Sequence, residues 1–180
     1  MSENKILNVK KRDGTLVPFN VENINRVIKW ATNEISGVSV SDIEINTKLN
    51  LVEGISTKEI HNVLIESAIN LFNEDNPNYQ WVASRLLTYQ LRKDVWGGKN
   101  PPRLYDFITL NTERNVYHKE ILQNYSKQEI DKLDEKIIHN RDYDFTYSGL
   151  KQLCDKYLIQ NRKSKEIFET PQFAYMLAAM

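Results

Sequence analysis

The first twenty residues carry the hydrophobic pattern of two short strands joined by a tight turn. Four strand-type residues flank the pair Asp13-Gly14, and they are Ile6, Val9, Leu16 and Phe19. An Asp-Gly pair readily adopts the positive φ angles that a two-residue primed turn requires. The pattern therefore predicts a β-hairpin with a two-residue turn at the start of the chain.

Helical periodicity replaces the strand pattern after the hairpin. Asn20 is a predicted N-cap, because its side-chain oxygen can accept from the free amides of a first helical turn. Apolar residues then recur at helical spacing, at Ile24, Val27, Ile28 and Ala31. The pattern predicts a first helix that packs this face against the core.

Two capping boxes predict the next two helices. They begin with Ser41 and with Ser56, each followed three residues later by a glutamate. The segment 49–55 between the second helix and the second box is too short for a helix and predicts a third strand beside the hairpin. A fourth helix is predicted to begin at Pro77 and to stop at Gly97-Gly98. Residues 1–96 are therefore interpreted as one domain of a hairpin and helices.

Residues 97–102, Gly-Gly-Lys-Asn-Pro-Pro, are the predicted linker, because glycine and paired prolines do not continue a helix. Beyond it, helices are predicted from Leu104, after a capping box at Ser126, and over 145–157. Two short extended pieces, 157–160 and 166–169, are predicted to flank a turn. The run 171–180 predicts an apolar helix without a polar end, which leads us to expect an unfinished chain.

Composition places the chain among globular proteins and restricts its partners. Hydrophobic residues make up 41% and charged residues 27%, and the formal net charge is +0, which argues against bulk attraction to nucleic acid or to a membrane. The single cysteine, Cys154, excludes an internal disulfide or a CxxC zinc site. Without a membrane-span or signal-peptide pattern, we expect a soluble protein in the reducing cytoplasm.

The sequence offers no complete catalytic constellation. It contains neither a GxxxxGK[ST] loop nor a GxGxxG motif, and its three histidines lack metal-ligand spacing. Cys154 has apolar helical neighbours and is interpreted as a packing residue. Arg141-Asp142 and Asp144 are interpreted as local capping charges of a loop. We therefore expect no catalytic residue, no metal site and no activity from this chain alone.

Cations at the hairpin are the first candidate binding feature. Lys11 and Arg12 could hold phosphates, and the amides at Asn20 and just after it could add donors. The alternative is that these cations are only a solvated edge near a surface turn. The residues alone leave both interpretations open.

The third and fourth helices supply further candidates. Thr57 and His61 lie one helical turn apart and would point toward the same groove. Lys93, late in the fourth helix, could bring another ammonium to it. The alternative is a half-buried helix histidine and one surface lysine among many.

Several short strings support a family resemblance through their order and spacing. In the first domain they are Lys11–Gly14, Trp30-Ala31, Gly54-Ile55, Ile60-His61 and Pro77–Leu86. They continue with Leu91–Lys93, Leu104–Asp106, Arg141-Asp142, Phe145–Tyr147, Lys156–Leu158 and Glu169–Phe173. Together they resemble the ATP-cone domain and, more specifically, the N-terminus of the large subunit of class I ribonucleotide reductase.

The resemblance implies a small helical bundle capped by a short sheet, which binds ATP as activator and, in many members of the family, dATP as inhibitor. These effectors can carry Mg²⁺, and no cofactor of its own is implied. The nucleotide-contacting positions would be Lys11, Asn20, Thr57 and Lys93, with Arg12, Ile24, Ile60, His61 and Tyr89 in the pocket wall. Glu59 falls where a carboxylate couples bound nucleotide to inhibition.

Two positions depart from the family pattern. Val17 stands where a glutamate is common, and Asn23 stands where many members carry a lysine. Loss of that cation should weaken phosphate binding by about 1 kcal/mol and alter how ATP and dATP are distinguished. We expect a cone that binds nucleotide but responds weakly to dATP.

The resemblance also implies that the catalytic groups of the family lie outside this chain. In the family, a thiyl radical and redox cysteines act on a large barrel, and Cys154 matches none of these. We expect a mainly α fold with a β-hairpin cap in 1–96, a linker in 97–102, and a helical segment, 103–180, that leads into a truncated barrel domain. The chain would be truncated or half of a split subunit. Its partners would be the remainder of the large subunit, in cis or in trans, and the radical-generating small subunit, in an oligomer without nucleic acid or membrane.

Two other functions remain open. A free-standing cone that regulates transcription or another enzyme would be expected to carry a zinc ribbon or a basic reading helix, and one cysteine with zero net charge argues against it. A degenerate cone with a purely structural or interaction role would lack nucleotide affinity. The changes at Val17 and Asn23 favour that last alternative.

Overall fold

The computed structural model describes residues 8–11, 14–49, 51–98 and 100–180. These residues are mostly helical and include a two-stranded antiparallel sheet, which confirms the predicted fold class in those terms. The chain divides into two compact units, residues 1–90 and 91–180. Because the division falls inside a helix and ahead of the glycine-proline segment, the domain boundaries stay a prediction. None of the described helices is long and apolar enough to cross a membrane.

The sheet is the predicted hairpin. Strand β1, Asn8–Lys10, pairs with strand β2, Leu16–Pro18. Val9 is buried and lies opposite Val17. The predicted strand residue Ile6 lies outside the described residues.

The turn of the hairpin differs from the prediction. The Lys11 amide donates to the Thr15 carbonyl at 2.8 Å, and the Gly14 amide donates to the Lys11 carbonyl at 3.0 Å. Three positions therefore separate the bonded Lys11 and Thr15, so the predicted two-residue turn is wrong. Gly14 has a φ of +86°, a left-handed conformation that glycine adopts without steric cost, while Arg12 and Asp13 lie outside the described residues.

Helix α1, Val21–Thr32, begins where the sequence predicted. Asn20 Oδ1 accepts from the Glu22 amide at 2.8 Å, which confirms Asn20 as the N-cap. The helix turns its apolar face inward, with buried side chains at Ile24, Ile28 and Ala31.

Helix α2, Val40–Leu49, begins before the residue that was predicted to cap it. The Asp42 amide donates to Ser39 Oγ at 3.2 Å, so Ser39 takes the role assigned to Ser41. Each of these serines precedes an acidic residue by three positions, and the capping-box pattern alone does not distinguish them.

The predicted third strand over 49–55 does not form in the described part of that segment. Lys10 and Ser56 instead make one isolated parallel bridge. The Lys10 amide donates to the Ile55 carbonyl at 3.0 Å. This bridge attaches the connection before the next helix to β1.

Helices α3, Thr57–Ile69, and α4, Tyr79–Trp96, complete the pattern predicted for the first ninety-six residues. The Glu59 amide donates to Ser56 Oγ at 3.1 Å, and the Ser56 amide donates to Glu59 Oε2 at 2.8 Å. These two bonds confirm the predicted capping box. Helix α4 ends directly before Gly97, also as predicted.

In its described residues, the second unit contains the last turns of α4 and five further α-helices. They are α5 (Leu104–Glu113), α6 (Glu120–Asn124), α7 (Lys127–Asp134), α8 (Tyr147–Gln152) and α9 (Pro171–Ala179). A π-helix, Leu153–Tyr157, continues α8, and the pieces around 157–160 and 166–169 meet at a single antiparallel bridge, Gln160 to Ile167. Helix α6 was not predicted.

Aromatic rings form the centre of the second unit's core. The buried members of this cluster are Leu104, Phe107, Ile108, Tyr117, Ile130 and Phe173. The rings of Phe107 and Phe173 stack with centroids 4.1 Å apart, and Trp96 meets Phe173 edge-on at 5.8 Å. The core therefore joins α4, α5 and α9.

The segment interpreted as a charged loop is a short 3-10 helix, His139–Asp144. Asp142 is fully buried and accepts from the Gln172 amide at 3.2 Å. Its carboxylate thus caps α9, far along the chain, so the interpretation of Asp142 as a local cap was wrong.

Cys154 is buried in the second unit, as expected of a packing residue. Burial raises the pKa of its thiol to about 11. The protonated thiol is therefore the form present at neutral pH, and it is a poor nucleophile.

Candidate functional site

The end of β1 lies beside the beginning of α3 in the first unit. Because the bridge between Lys10 and Ser56 is parallel, the next residue on each segment, Lys11 and Thr57, leaves the bridge in the same direction. Lys11 is exposed and Thr57 is half-buried. The first amides of a helix have no partner within it, so this junction combines a cation, a hydroxyl and a helix N-terminus.

Helix α1 brings a second N-terminus to the hairpin. Asn20 follows β2 by two residues and caps α1 with its side chain. One turn into the helix, Ile24 is buried, and Ile60 is buried one turn into α3. Asn23 is exposed in the first turn of α1, so a longer side chain there would meet solvent rather than the core.

Three aromatic side chains from three helices form a row in the first unit. Tyr89 on α4 stacks on His61 of α3, with centroids 5.1 Å apart and planes at 26°. On α1, Trp30 lies 5.5 Å from the Tyr89 ring and is 40% exposed. Next to this row, Gln90 Nε2 donates to Asn62 Oδ1 at 2.9 Å. The structure therefore brings together His61 and Tyr89, two of the predicted wall residues.

Glu59 has a defined local role in addition to the predicted one. Hydrogen bonds with the Ser56 hydroxyl and backbone lower the pKa of the Glu59 carboxyl. The carboxylate therefore stays ionised near the N-terminus of α3, where negative charge stabilises a helix. Its role in coupling nucleotide to inhibition stays a prediction.

Two predicted residues are not placed with the others. Arg12 lies outside the described residues. Lys93 is exposed on α4 one turn after Tyr89, but it belongs to the second unit, 91–180. Their roles rest on motif position alone.

Sequence reasoning missed two structural contributors to the first unit. Trp30 was not among the candidate site residues, because it lies beside the buried stripe of α1 and is itself exposed. Arg85 donates to the carbonyls of Asn33 at 2.6 Å and Ala31 at 3.3 Å. Arg85 thus donates to carbonyl groups at the C-terminus of α1 that have no partner within the helix. This role cannot be recognised without the tertiary contact.

The chemistry of this unit favours an anionic ligand with a ring. A lysine beside helix N-termini stabilises negative charge through hydrogen bonds and the helix dipole. The aromatic and apolar side chains of α1, α3 and α4 offer a surface on which a planar ring can stack. Among the described residues, no three His, Cys, Asp or Glu side chains lie together as metal ligands would.

Comparison with protein families finds one matching domain. Residues 7–94 match the ATP cone domain. The match spans the hairpin, α1 to α3 and nearly all of α4.

The chain is also similar along almost its whole length to curated reductase subunits. It is 43% identical over 176 residues to the ribonucleoside-diphosphate reductase subunit alpha of Haemophilus influenzae. Identity is 40% over 176 residues to ribonucleoside-diphosphate reductase 1 subunit alpha of Escherichia coli, and 39% over 178 residues to the subunit alpha of Enterobacteria phage T4. Each match covers 98% of this chain and 23% of the relative. The chain thus spans about a quarter of the length of these relatives.

Proposed function

We propose that residues 7–94, which match the ATP cone domain, bind ATP and dATP and thereby control the activity of a ribonucleoside-diphosphate reductase, the class of protein to which this chain is similar along almost its whole length. The reductase would convert ribonucleoside diphosphates to deoxyribonucleotides. In this proposal the chain supplies regulation and the catalytic cysteines lie elsewhere.

The observation that carries the proposal is the junction between β1 and α3. The parallel bridge between Lys10 and Ser56 directs Lys11 and Thr57 the same way from adjacent backbone segments. The ammonium of Lys11 would hold the phosphates, and the Thr57 hydroxyl would donate to a phosphate oxygen. This donor set fits a polyphosphate, and Mg²⁺ would arrive with the nucleotide.

The remaining candidates complete the pocket on α1 and α4. Asn20 would place the α1 amides toward the nucleotide, and Ile24 and Ile60 would form the apolar floor. His61 and Tyr89 would form a wall against the base. Arg12 and Lys93 would add cations, and Glu59 would couple bound dATP to inhibition.

Replacing Lys11 with alanine is expected to weaken ATP binding at least about tenfold. A hydrogen bond to a charged group contributes about 1.5–3 kcal/mol, and each 1.4 kcal/mol is a factor of about ten. Isothermal titration calorimetry of the full chain in Mg²⁺ buffer measures the change. The Thr57→Ala variant, which loses a neutral donor, should show a smaller loss of affinity.

Lys10→Ala is the matched control for that experiment. Lys10 is the neighbouring exposed lysine on β1, so its removal changes the net charge by the same amount. We expect its affinity for ATP to stay within about twofold of the parent, because only its backbone takes part in the bridge. Equal losses in the Lys10 and Lys11 variants would count against a phosphate site at this junction.

Asn23→Lys is expected to strengthen nucleotide binding by about fivefold. The substitution restores a cation at an exposed first-turn position of α1, and one added charge contact of about 1 kcal/mol corresponds to that factor. Titrations with ATP and with dATP would show whether the gain differs between them. Asn33→Lys, just beyond the other end of α1, controls for net charge and should change neither affinity.

The second unit would connect the cone to catalysis. Residues 103–180 would be the helical entry to the catalytic barrel of a reductase large subunit. The partners would be the remainder of that subunit, in cis or in trans, and the radical-generating small subunit in an oligomeric complex. Mixing the chain with those parts and assaying reductase activity with and without dATP tests this assignment.

A further inference from the structure

Helix α4 is shared by the two units, because it runs from Tyr79 to Trp96 while the division falls after Gln90. Tyr89, Arg92 and Trp96 are three and seven positions apart, so they lie along one stripe of the helix, together with Lys93. The stripe begins with the proposed nucleotide contact Tyr89 and continues in the second unit with Arg92, which is buried, and Trp96, which is half-buried.

Arg92 is held in the second unit by several groups at once. Its side chain is 8% exposed, and its Nη2 lies 3.3 Å from Asp142 Oδ2. The same nitrogen donates to the His139 carbonyl, and Nη1 donates to the Tyr143 hydroxyl at 3.1 Å. The guanidinium also lies 4.5 Å from the centre of the Tyr143 ring. All these partners belong to the 3-10 helix, 139–144, so Arg92 fixes that helix to α4.

Asp142 connects Arg92 to the start of α9. While Oδ2 pairs with Arg92, Oδ1 accepts from the Gln172 amide in the first turn of α9 at 3.2 Å. Thr170 occupies the N-cap position of α9 but makes no side-chain capping bond. The buried carboxylate therefore supplies the cap that the local sequence does not.

A second contact joins the same helices. The Trp96 ring, one turn after Arg92 on α4, meets Phe173 of α9 edge-on at 5.8 Å. Phe173 is fully buried. Close-packed rings and a buried ion pair have few alternative arrangements, because displacing either leaves a void or an unpaired charge.

We propose that Arg92 and Asp142 are positioning residues that transmit nucleotide-dependent displacement of α4 to the N-terminus of α9. The inference rests on the proposed function, since it takes ATP at the cone as the source of the displacement. A shift of α4 moves the Arg92 guanidinium, the carboxylate follows its partner, and the first turn of α9 follows its cap. The pair of Arg92 and Asp142 thus conveys the regulatory effect of the cone to the second unit.

The test measures backbone hydrogen exchange of residues 171–180 in the full chain, with and without saturating ATP. The variant Arg92→Met with Asp142→Asn removes both charges at similar volume, so no buried charge is left unpaired. In the parent chain we expect ATP to change the exchange rates of α9. In the double variant we expect ATP affinity within about twofold of the parent and an ATP-induced change in α9 reduced at least threefold. A merely structural role would shift exchange equally with and without ATP.

The chain contains a matched control pair in the same unit. Asp134 pairs with Arg103 at 3.0 Å and accepts from the Leu104 amide at the start of α5 at 2.9 Å. The variant Arg103→Met with Asp134→Asn removes an ion pair and a cap that involve neither α4 nor α9, at a site where Arg103 is 60% exposed. It should keep the full ATP-induced change in α9.

Each outcome bears on a different claim. If the parent chain binds no ATP, the proposed function is wrong, and so is the coupling through Arg92 and Asp142 that rests on it. If ATP binds but the exchange of α9 does not respond, or if the double variant responds fully, that coupling is wrong and the cone assignment stands. Loss of ATP binding in the double variant would also overturn the coupling, because the pair would then stabilise the cone itself.

Discussion

Replacing Asp142 with alanine is expected to lower the free energy of unfolding of the second unit by about 3–5 kcal/mol. The variant leaves the Arg92 guanidinium buried without its carboxylate, and breaking one side of a buried ion pair typically costs this much. It also removes the acceptor for the Gln172 amide at the start of α9. Burial raises the pKa of the Asp142 carboxyl, while Arg92 and the Gln172 amide oppose that rise. Burial of the ionised Asp142 carboxylate therefore carries a desolvation cost, which its interactions with Arg92 and the Gln172 amide offset.

Native-state hydrogen exchange of α5 and α9 amides measures this loss in the full chain. Asp144→Ala is the matched control, because Asp144 is an exposed carboxylate on the same 3-10 helix. Its removal should change the free energy by no more than about 0.5 kcal/mol. A similarly small effect at Asp142 would mean that the buried pair does not hold the helices together.

Phe173→Ala is expected to destabilise the second unit by about 3–5 kcal/mol. Phe173 is fully buried, and large-to-small core substitutions lose both transfer free energy and the packing around the cavity. The ring stacks on Phe107 at 4.1 Å and receives the edges of Trp96 and His139. Three elements therefore lose contacts at once, and chemical denaturation followed by circular dichroism would detect the change.

Tyr175→Ala tests whether that cost is specific to the core position. Tyr175 lies two residues later on α9 and is 51% exposed, so its removal should cost less than about 1.5 kcal/mol. A cost for Phe173→Ala as small as that for Tyr175→Ala would show that the aromatic cluster does not define this core.

Local signals predicted the helix starts well, because caps act within a few residues. Asn20, Ser56 and Ser126 make the capping bonds that the sequence predicted. The pattern failed where two serines offered equivalent spacing, and the structure uses Ser39 rather than Ser41. The hairpin turn failed for a related reason, since Asp-Gly is compatible with both two-residue and three-residue loops.

Long-range polar contacts lay beyond sequence reasoning. Asp142 reads as one charge in a charged loop, and its partners Arg92 and Gln172 are far away along the chain. A fully buried carboxylate is uncommon without a partner, but the polar sequence around Asp142 gave no indication that this side chain is buried. The 3-10 helix that carries Asp142 is equally dependent on those contacts.

The candidate site shows the same division between local and tertiary information. Thr57 and His61 share a helix face through their spacing alone, whereas the bridge between Lys10 and Ser56 is a single backbone contact with no sequence signature. Lys11 was a candidate because of the cations at the hairpin, whereas only the family resemblance selected Tyr89. Trp30 beside Tyr89 became evident only from the packing of α1 against α4.

Calorimetric titration of the unmodified chain with ATP, followed by dATP, shows whether the junction of β1 and α3 is a nucleotide-binding site. We expect saturable binding of ATP that is lost or strongly weakened in Lys11→Ala and retained in Lys10→Ala. Absence of saturable binding, at concentrations where a Kd of about 1 mM would be detected, would contradict this expectation. The hairpin, α1 and α3 would then form a cone-like scaffold without nucleotide affinity.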